Sequence, residues 1–232
     1  MSPKKTLQQL FVLSASCLSI ALVASAMIYR WVSSSQPVPI MVTDGHPSIG
    51  SRDAKVGILI IEDFRCCACR TFIEEVFPQI RKRYIDTGVA YCILVPVAFL
   101  DGSKPLANAA LAVFKIAPDK FFPYVHAIFK HFGTREIHGS ERNELIKIAQ
   151  ELGGIDLEAL RKCVESNCYF SELDRNLHWA ERIMGKEFGV PALYVNGIPT
   201  STVSMEAIRG KIEKVYRAQE GVSHSDPVRR RS

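Results

Sequence analysis

The chain has 232 residues, is 47% hydrophobic and 23% charged, and carries a formal net charge of +5. That apolar content suffices for one sizeable core, which excludes a small scaffold held together only by disulfide staples. The charge is too modest to argue for a nucleic-acid partner, and Arg229-Arg230-Arg231, among polar neighbours, reads as part of a flexible basic tail over 220–232.

At the N-terminus, Lys4 and Lys5 precede an apolar run from Leu10 to Tyr29. A run of about 20 residues at helical rise matches a bilayer core. Ala24-Ser25-Ala26 resembles a signal-peptidase site, so residues 1–32 read either as a membrane anchor or as a cleaved signal peptide. Continuation of the run through Met27, Ile28 and Tyr29, with Arg30-Trp31 as an interfacial group, favours the anchor. Lys4 and Lys5 outweigh Arg30, which puts the N-terminus in the cytoplasm and the rest outside. Either way the domain is exported to a compartment where disulfides persist. Cys17 falls in the run, leaving Cys66, Cys67, Cys69, Cys92, Cys163 and Cys168 beyond it.

Residues 33–55, rich in Ser, Pro, Gly and Asp, read as a tether with a short strand at Val38–Val42. The apolar, β-branched run Val56–Phe64 predicts a buried strand. Thr71–Tyr84 carries apolar residues at 72, 73, 76, 77 and 80, which is helical spacing. Between them, Arg65-Cys66-Cys67-Ala68-Cys69-Arg70 places a Cys-x-x-Cys pair where strand turns into helix. A cysteine there meets unpaired backbone N–H groups and the positive end of the helix dipole. Both favour the thiolate, the form that attacks a disulfide, and Arg65 and Arg70 are expected to add to this. A structural zinc site would need two further ligands at suitable spacing, and His126 and His131 fall on opposed helix faces, so a redox pair is the better reading.

Val89–Phe99 predicts a second strand, which completes a βαβ unit and implies parallel pairing. Cys92 within it reads as an inert packing residue. Residues 104–187 show only helical patterns, broken at Ala117-Pro118-Asp119, Gly133-Thr134 and Gly153-Gly154. Cys163 and Cys168 are out of reach within an uninterrupted helix. They come within reach if the helix ends near Ser166-Asn167, both poor helix formers, and a disulfide is the expectation. Ala192–Val195, the turn Asn196-Gly197 and Ile198–Val203 predict a β-hairpin. Ser204–Tyr216 predicts a closing helix with Ser204 as N-cap.

The segments Phe64–Arg70, Ala107–Ala112 with Phe121–Phe129, and Gly189-Val190-Pro191-Ala192-Leu193-Tyr194-Val195-Asn196-Gly197 resemble the DsbA family of exported, periplasmic thiol–disulfide oxidoreductases over roughly residues 40–218. The resemblance implies an α/β thioredoxin fold with an inserted helical domain. Residues 56–103 and 188–219 would form its two halves and 104–187 the insertion. It implies Cys66 as nucleophile, Cys69 as resolving thiol, and Pro191 as a cis-proline facing them, with Val190 offering backbone groups to an extended substrate. No cofactor and no metal is implied. The implied partners are unfolded or newly exported cysteine-containing proteins and a DsbB-like membrane quinone reductase.

Departures from the family set limits on oxidising power. Cys67-Ala68 supplies no His to stabilise the Cys66 thiolate, which predicts a milder oxidant. Ile60 stands where the family often carries a buried acid, and Glu62, on the same strand face, either substitutes in proton transfer or is a strand-end surface acid. Cys67 either competes in exchange or fills space. Two rival functions are a reductase or isomerase, although no dimerisation segment is evident, and a soft-metal protein holding Cu(I) through Cys66, Cys67 and Cys69.

Overall fold

The computed structural model describes residues 19–27, 45–132 and 141–224, with side chains described as far as 219. The chain divides into a unit Met1–Pro37 and a unit Val38–Ser232. In the first, residues 19–27 are helical and exposed. The rest of the Leu10–Tyr29 run, Cys17 and the expected strand at Val38–Val42 lie outside the described residues. So do Gly133-Thr134 and Arg229-Arg230-Arg231. Among the described residues no helix is long and apolar enough to cross a membrane, so the anchor expected over 1–32 has no support in the structure.

The second unit is built on a five-stranded sheet in the order β1-β3-β2-β4-β5. Its strands are β1 (Ser48–Ile49), β2 (Val56–Asp63), β3 (Ala90–Val97), β4 (Ala192–Val195) and β5 (Ile198–Pro199). β2 lies at the centre, parallel to β3 (Val56 opposite Ala90, Asp63 opposite Val97) and antiparallel to β4 (Ile58 opposite Val195). A continuous apolar run is what a strand covered on both faces requires, and every residue of β2 is buried. Val56, Ile58 and Ile60 point into the larger core with Cys92 and Leu94 of β3. Leu59 and Ile61 point to the other face with Ile93, Val95 and Tyr194.

The helix after β2 is not uniform. It begins as α1 (Cys67–Thr71), widens into a π-turn over Phe72–Val76, continues as α2 (Phe77–Ile80) and widens again over Arg81–Ile85. Pro78 explains the first wide turn: it has no N–H to donate and its ring crowds the carbonyl one turn back, so the chain opens by one residue before it. Between β3 and β4 come α3 (Ser103–Ile116), α4 (Phe121–Phe132), α5 (Glu141–Leu152), α6 (Leu157–Ser166) and α7 (Phe170–Met184). Ala180 of α7 covers the second face of the sheet. α8 (Met205–His224) returns to the first face through Ile208 and Ile212.

Three boundaries differ from the expectation. β1 lies inside the expected tether, paired antiparallel with β3 (Ser48 opposite Ile93). Gly50 closes that pairing at φ +90°, where a Cβ would come within 2.9 Å of Ile85 Cγ2 and 3.0 Å of the Ala90 carbonyl. The second hairpin strand is only Ile198–Pro199, because proline there cannot extend a ladder. The closing helix runs to His224, past the expected start of a flexible tail at 220. Ser204 does accept from the Ala207 N–H at 3.3 Å, as an N-cap should.

Candidate active site

β2 ends in a turn set by its own last residue. The Asp63 carboxylate accepts the Arg65 N–H at 2.8 Å, an Asx turn. The Cys66 N–H donates to the Asp63 carbonyl at 3.0 Å. This leaves Cys66 extended (φ −80°, ψ 118°) as the N-cap of α1. In that position its sulfur accepts the Cys69 N–H at 3.3 Å, one of the donors that a helix start leaves without a partner. Cys66 is half-buried, Cys67 is exposed, Cys69 is buried, and all three are free thiols.

The two thiols of the pair are driven apart electrostatically. Cys66 is pulled down from 9.0 to about 6. The hydrogen bond from the Cys69 thiol is the largest cause, and the N–H groups of Cys69 and Ala68 add to it, while partial burial and the Asp63 charge oppose it. Cys69 is pushed far up, chiefly by burial and then by its own bond to Cys66, so it keeps its proton. One thiol therefore favours its thiolate and the other keeps its proton.

The flanking arginines are not the leading source of this effect. Arg65 donates from its guanidinium to the Phe132 carbonyl at 3.0 Å, and Arg70 pairs with Glu74 at 3.0 Å. Neither is among the leading causes of the Cys66 shift, so the expectation that their charge depresses it gains no support from the structure. Ala68 contributes its backbone N–H, and the Cys67 carbonyl accepts the Thr71 hydroxyl at 3.3 Å.

Glu62 is fully buried, which removes the surface-acid alternative. Both its carboxyl oxygens lack a hydrogen-bond partner among the described residues. Burial raises its pKa well above the usual carboxyl value, with smaller contributions from the charges of Cys66 and Asp63. Cys92, also buried, is raised by the same desolvation.

The Val190–Pro191 peptide is cis. The Val190 carbonyl lies 3.5 Å from Cys66 Sγ and can accept from it when the thiol is protonated, so this loop and the cysteine turn meet directly. Just before it, Phe188 packs edge-on against Phe99 with ring centroids 5.1 Å apart. Phe99 and Leu100, in the loop after β3, are 42% and 36% exposed and leave an apolar rim beside the site.

Cys163 and Cys168 are disulfide-bonded with Cα atoms 5.2 Å apart, remote in sequence from the reactive pair. α6 ends at Ser166 and Asn167 turns left-handed (φ 55°), which bends Cys168 back toward Cys163. Among the described residues no three His, Cys, Asp or Glu side chains are grouped to hold a metal ion.

The hydrogen-bonding roles of three polar residues escaped the sequence reading. Asp63 holds the reactive turn. Asn196 accepts the Gly57 N–H at 2.6 Å and donates its own N–H to the Gly57 carbonyl at 2.8 Å, pinning the hairpin to β2. Buried Asn108 donates to the Cys163 carbonyl at 3.4 Å and accepts the Tyr169 N–H at 2.8 Å, bracing the disulfide turn. Of these, Asn196 was readable as a hairpin turn residue but not as a brace on β2, and Asp63 had a signal of its own: an Asp two residues before an N–H that opens a turn.

A family model described as Thioredoxin matches residues 42–214. Disulfide bond formation protein D of Bacillus subtilis is 26% identical over 172 residues, covering 73% of this chain and 77% of that protein. Among solved structures, DsbA of Chlamydia trachomatis has a TM-score of 0.71 at 29% identity, covering 79% of this chain and 97% of that one. Oxidised BdbD from Bacillus subtilis has a TM-score of 0.70 at 25% identity with the same coverage. With a Cys-x-x-Cys pair capping a helix opposite a cis-proline loop, the chain belongs to the thioredoxin family and is of its DsbA type.

Proposed function

We propose that this chain oxidises pairs of thiols in exported proteins, using a Cys66–Cys69 disulfide as the acceptor of two electrons. The chain is a thiol–disulfide oxidoreductase. The observation that carries the proposal is the split between Cys66, held near 6 at a helix N-cap, and Cys69, buried with its proton.

In the oxidised form, a client thiolate attacks Cys66 Sγ and the Cys66–Cys69 bond breaks. Cys69 leaves with the electron pair and takes up a proton, since burial disfavours its thiolate. Buried, protonated Glu62 is the proton source we assign to this step. A second client thiolate then attacks the client's sulfur in the mixed disulfide. Cys66 departs as a stabilised thiolate, a good leaving group because its pKa is low. The client gains a disulfide and the chain ends as a dithiol.

The Val190 carbonyl, at hydrogen-bond distance from Cys66, supports a role for Val190 and Pro191 in holding an extended client backbone. The exposed Phe99 and Leu100, continuous with that loop through Phe188, would meet apolar client side chains. We further assign re-oxidation to a DsbB-like quinone-linked membrane protein. The site of action is the periplasm, with the chain tethered through residues 1–32. The Lys4-Lys5 start and the apolar Leu10–Tyr29 run support that placement.

The test is oxidation of a reduced, unfolded client by the purified, oxidised chain. The wild type is expected to turn over at least one equivalent of client thiol pairs, and Cys66→Ala none. Equal rates for the two proteins would place the chemistry elsewhere.

A further inference from the structure

Asp63 is fully buried, yet its charge works against the reactive thiol, since it opposes the lowering of Cys66. An acid at this position therefore needs another explanation, and its hydrogen bonds provide one. One carboxylate oxygen accepts the Arg65 N–H at 2.8 Å, in the turn that carries Cys66. The other accepts the N–H groups of Phe99 at 2.9 Å and Leu100 at 3.1 Å, in the loop after β3. Hydrogen bonds to a carboxylate are roughly twice as strong as neutral ones. The two loops are far apart in sequence and share this one side chain. An Asn here would keep one acceptor oxygen and turn an NH₂ group toward backbone donors, so the acid is chemically specific.

We infer that Asp63 is a positioning residue: it sets the Cys66 turn in register with the apolar Phe99–Leu100 rim, so that a client chain resting on the rim presents its thiol to Cys66 Sγ. The inference rests on the oxidant reading above. Small misplacements of reacting groups are costly, and the cost falls on substrates that use the rim. Reduced glutathione has no apolar segment long enough to lean on it.

The experiment uses full-length Asp63→Asn and the wild type, each oxidised and then reacted with a reduced, unfolded client and with reduced glutathione. The ratio of client rate to glutathione rate is expected to fall by about tenfold or more. In the same variant, the alkylation midpoint of Cys66 is expected to move down, because an opposing charge is gone. A more acidic thiol with poorer client oxidation is a pairing that simple destabilisation does not produce. Client and glutathione rates falling together would overturn the inference. If the variant does not fold, amide exchange in the unmodified protein decides. The Arg65, Phe99 and Leu100 amides should then open together, whereas fast exchange at Phe99 and Leu100 beside a protected Arg65 would overturn the idea. A wild type that oxidises no client refutes the functional reading itself, whatever Asp63 does.

Discussion

At the scale of single residues, the account turns on which neighbours set the Cys66 thiol. The sequence pointed to helix start and flanking charge. The helix start is among the leading causes and the flanking charge is not, because long arginine side chains reach whatever acceptor lies nearest and no local pattern says where that is. Arg65 finds the Phe132 carbonyl and Arg70 finds Glu74. Removing the Cys69 thiol should therefore matter more than removing either cation. In Cys69→Ala, the alkylation midpoint of Cys66 is expected to rise from about 6 toward the ordinary thiol value, while Arg65→Gln leaves it close to the wild type. A large upward shift in Arg65→Gln with none in Cys69→Ala would reverse the assignment.

Glu62 gives a second prediction at this scale. Its carboxyl is neutral in the folded chain above the pH at which the unfolded chain ionises, so the folded state binds the extra proton. Its contribution to stability is thus complete below the unfolded value of 4.5 and is lost as pH rises above it. Glu62→Gln, which cannot ionise, should gain stability relative to the wild type as pH rises from 4.5, with a slope of at most about 1.4 kcal/mol per pH unit. Denaturant melts of both proteins across pH 4 to pH 8 measure it. A difference that does not change with pH would mean the carboxyl is solvated. The burial of Glu62 was half-legible: strand alternation put it on the core face with Ile58 and Ile60, but a strand-end acid can equally bend out to water.

At the scale of elements, the central strands and the cysteine turn were readable because their signals are local. Continuous apolar runs marked β2 and β3, and the Asn196-Gly197 pair marked the hairpin turn, with both residues at positive φ. β1 was missed because two residues paired to β3 carry no pattern of their own. The wide turns around Phe72–Val76 were also missed, since the apolar spacing of a bulged helix differs by one residue from a regular one. The Cys163–Cys168 bridge belongs to this scale, closing a short loop at the α6–α7 junction with Asn108 bracing it. Replacing both cysteines by Ala is expected to cost about 2 kcal/mol by the chain-entropy estimate, with client oxidation nearly unchanged. Chemical denaturation measures the first and the client assay the second. A client rate lowered as strongly as in Cys66→Ala would tie the bridge to the chemistry.

At the scale of the whole molecule, the question is how strong an oxidant the fold makes. Stabilising the Cys66 thiolate favours the reduced form and so raises the potential of the disulfide. A thiol near 6 lies between that of thioredoxin, about 7, and that of the most acidic DsbA, about 3.5. The potential should lie between their values, about −270 and about −120 mV. Structural disulfides in exported proteins have potentials below about −300 mV, so even the middle of that range drives client oxidation. The direct test is equilibration of the Cys66–Cys69 pair with glutathione buffers of known poise, run beside oxidation of a reduced, unfolded client. The account predicts a potential inside that window together with disulfide formation in the client. A potential at or below that of thioredoxin, with no client oxidised, would contradict it and assign the chain to the reductases.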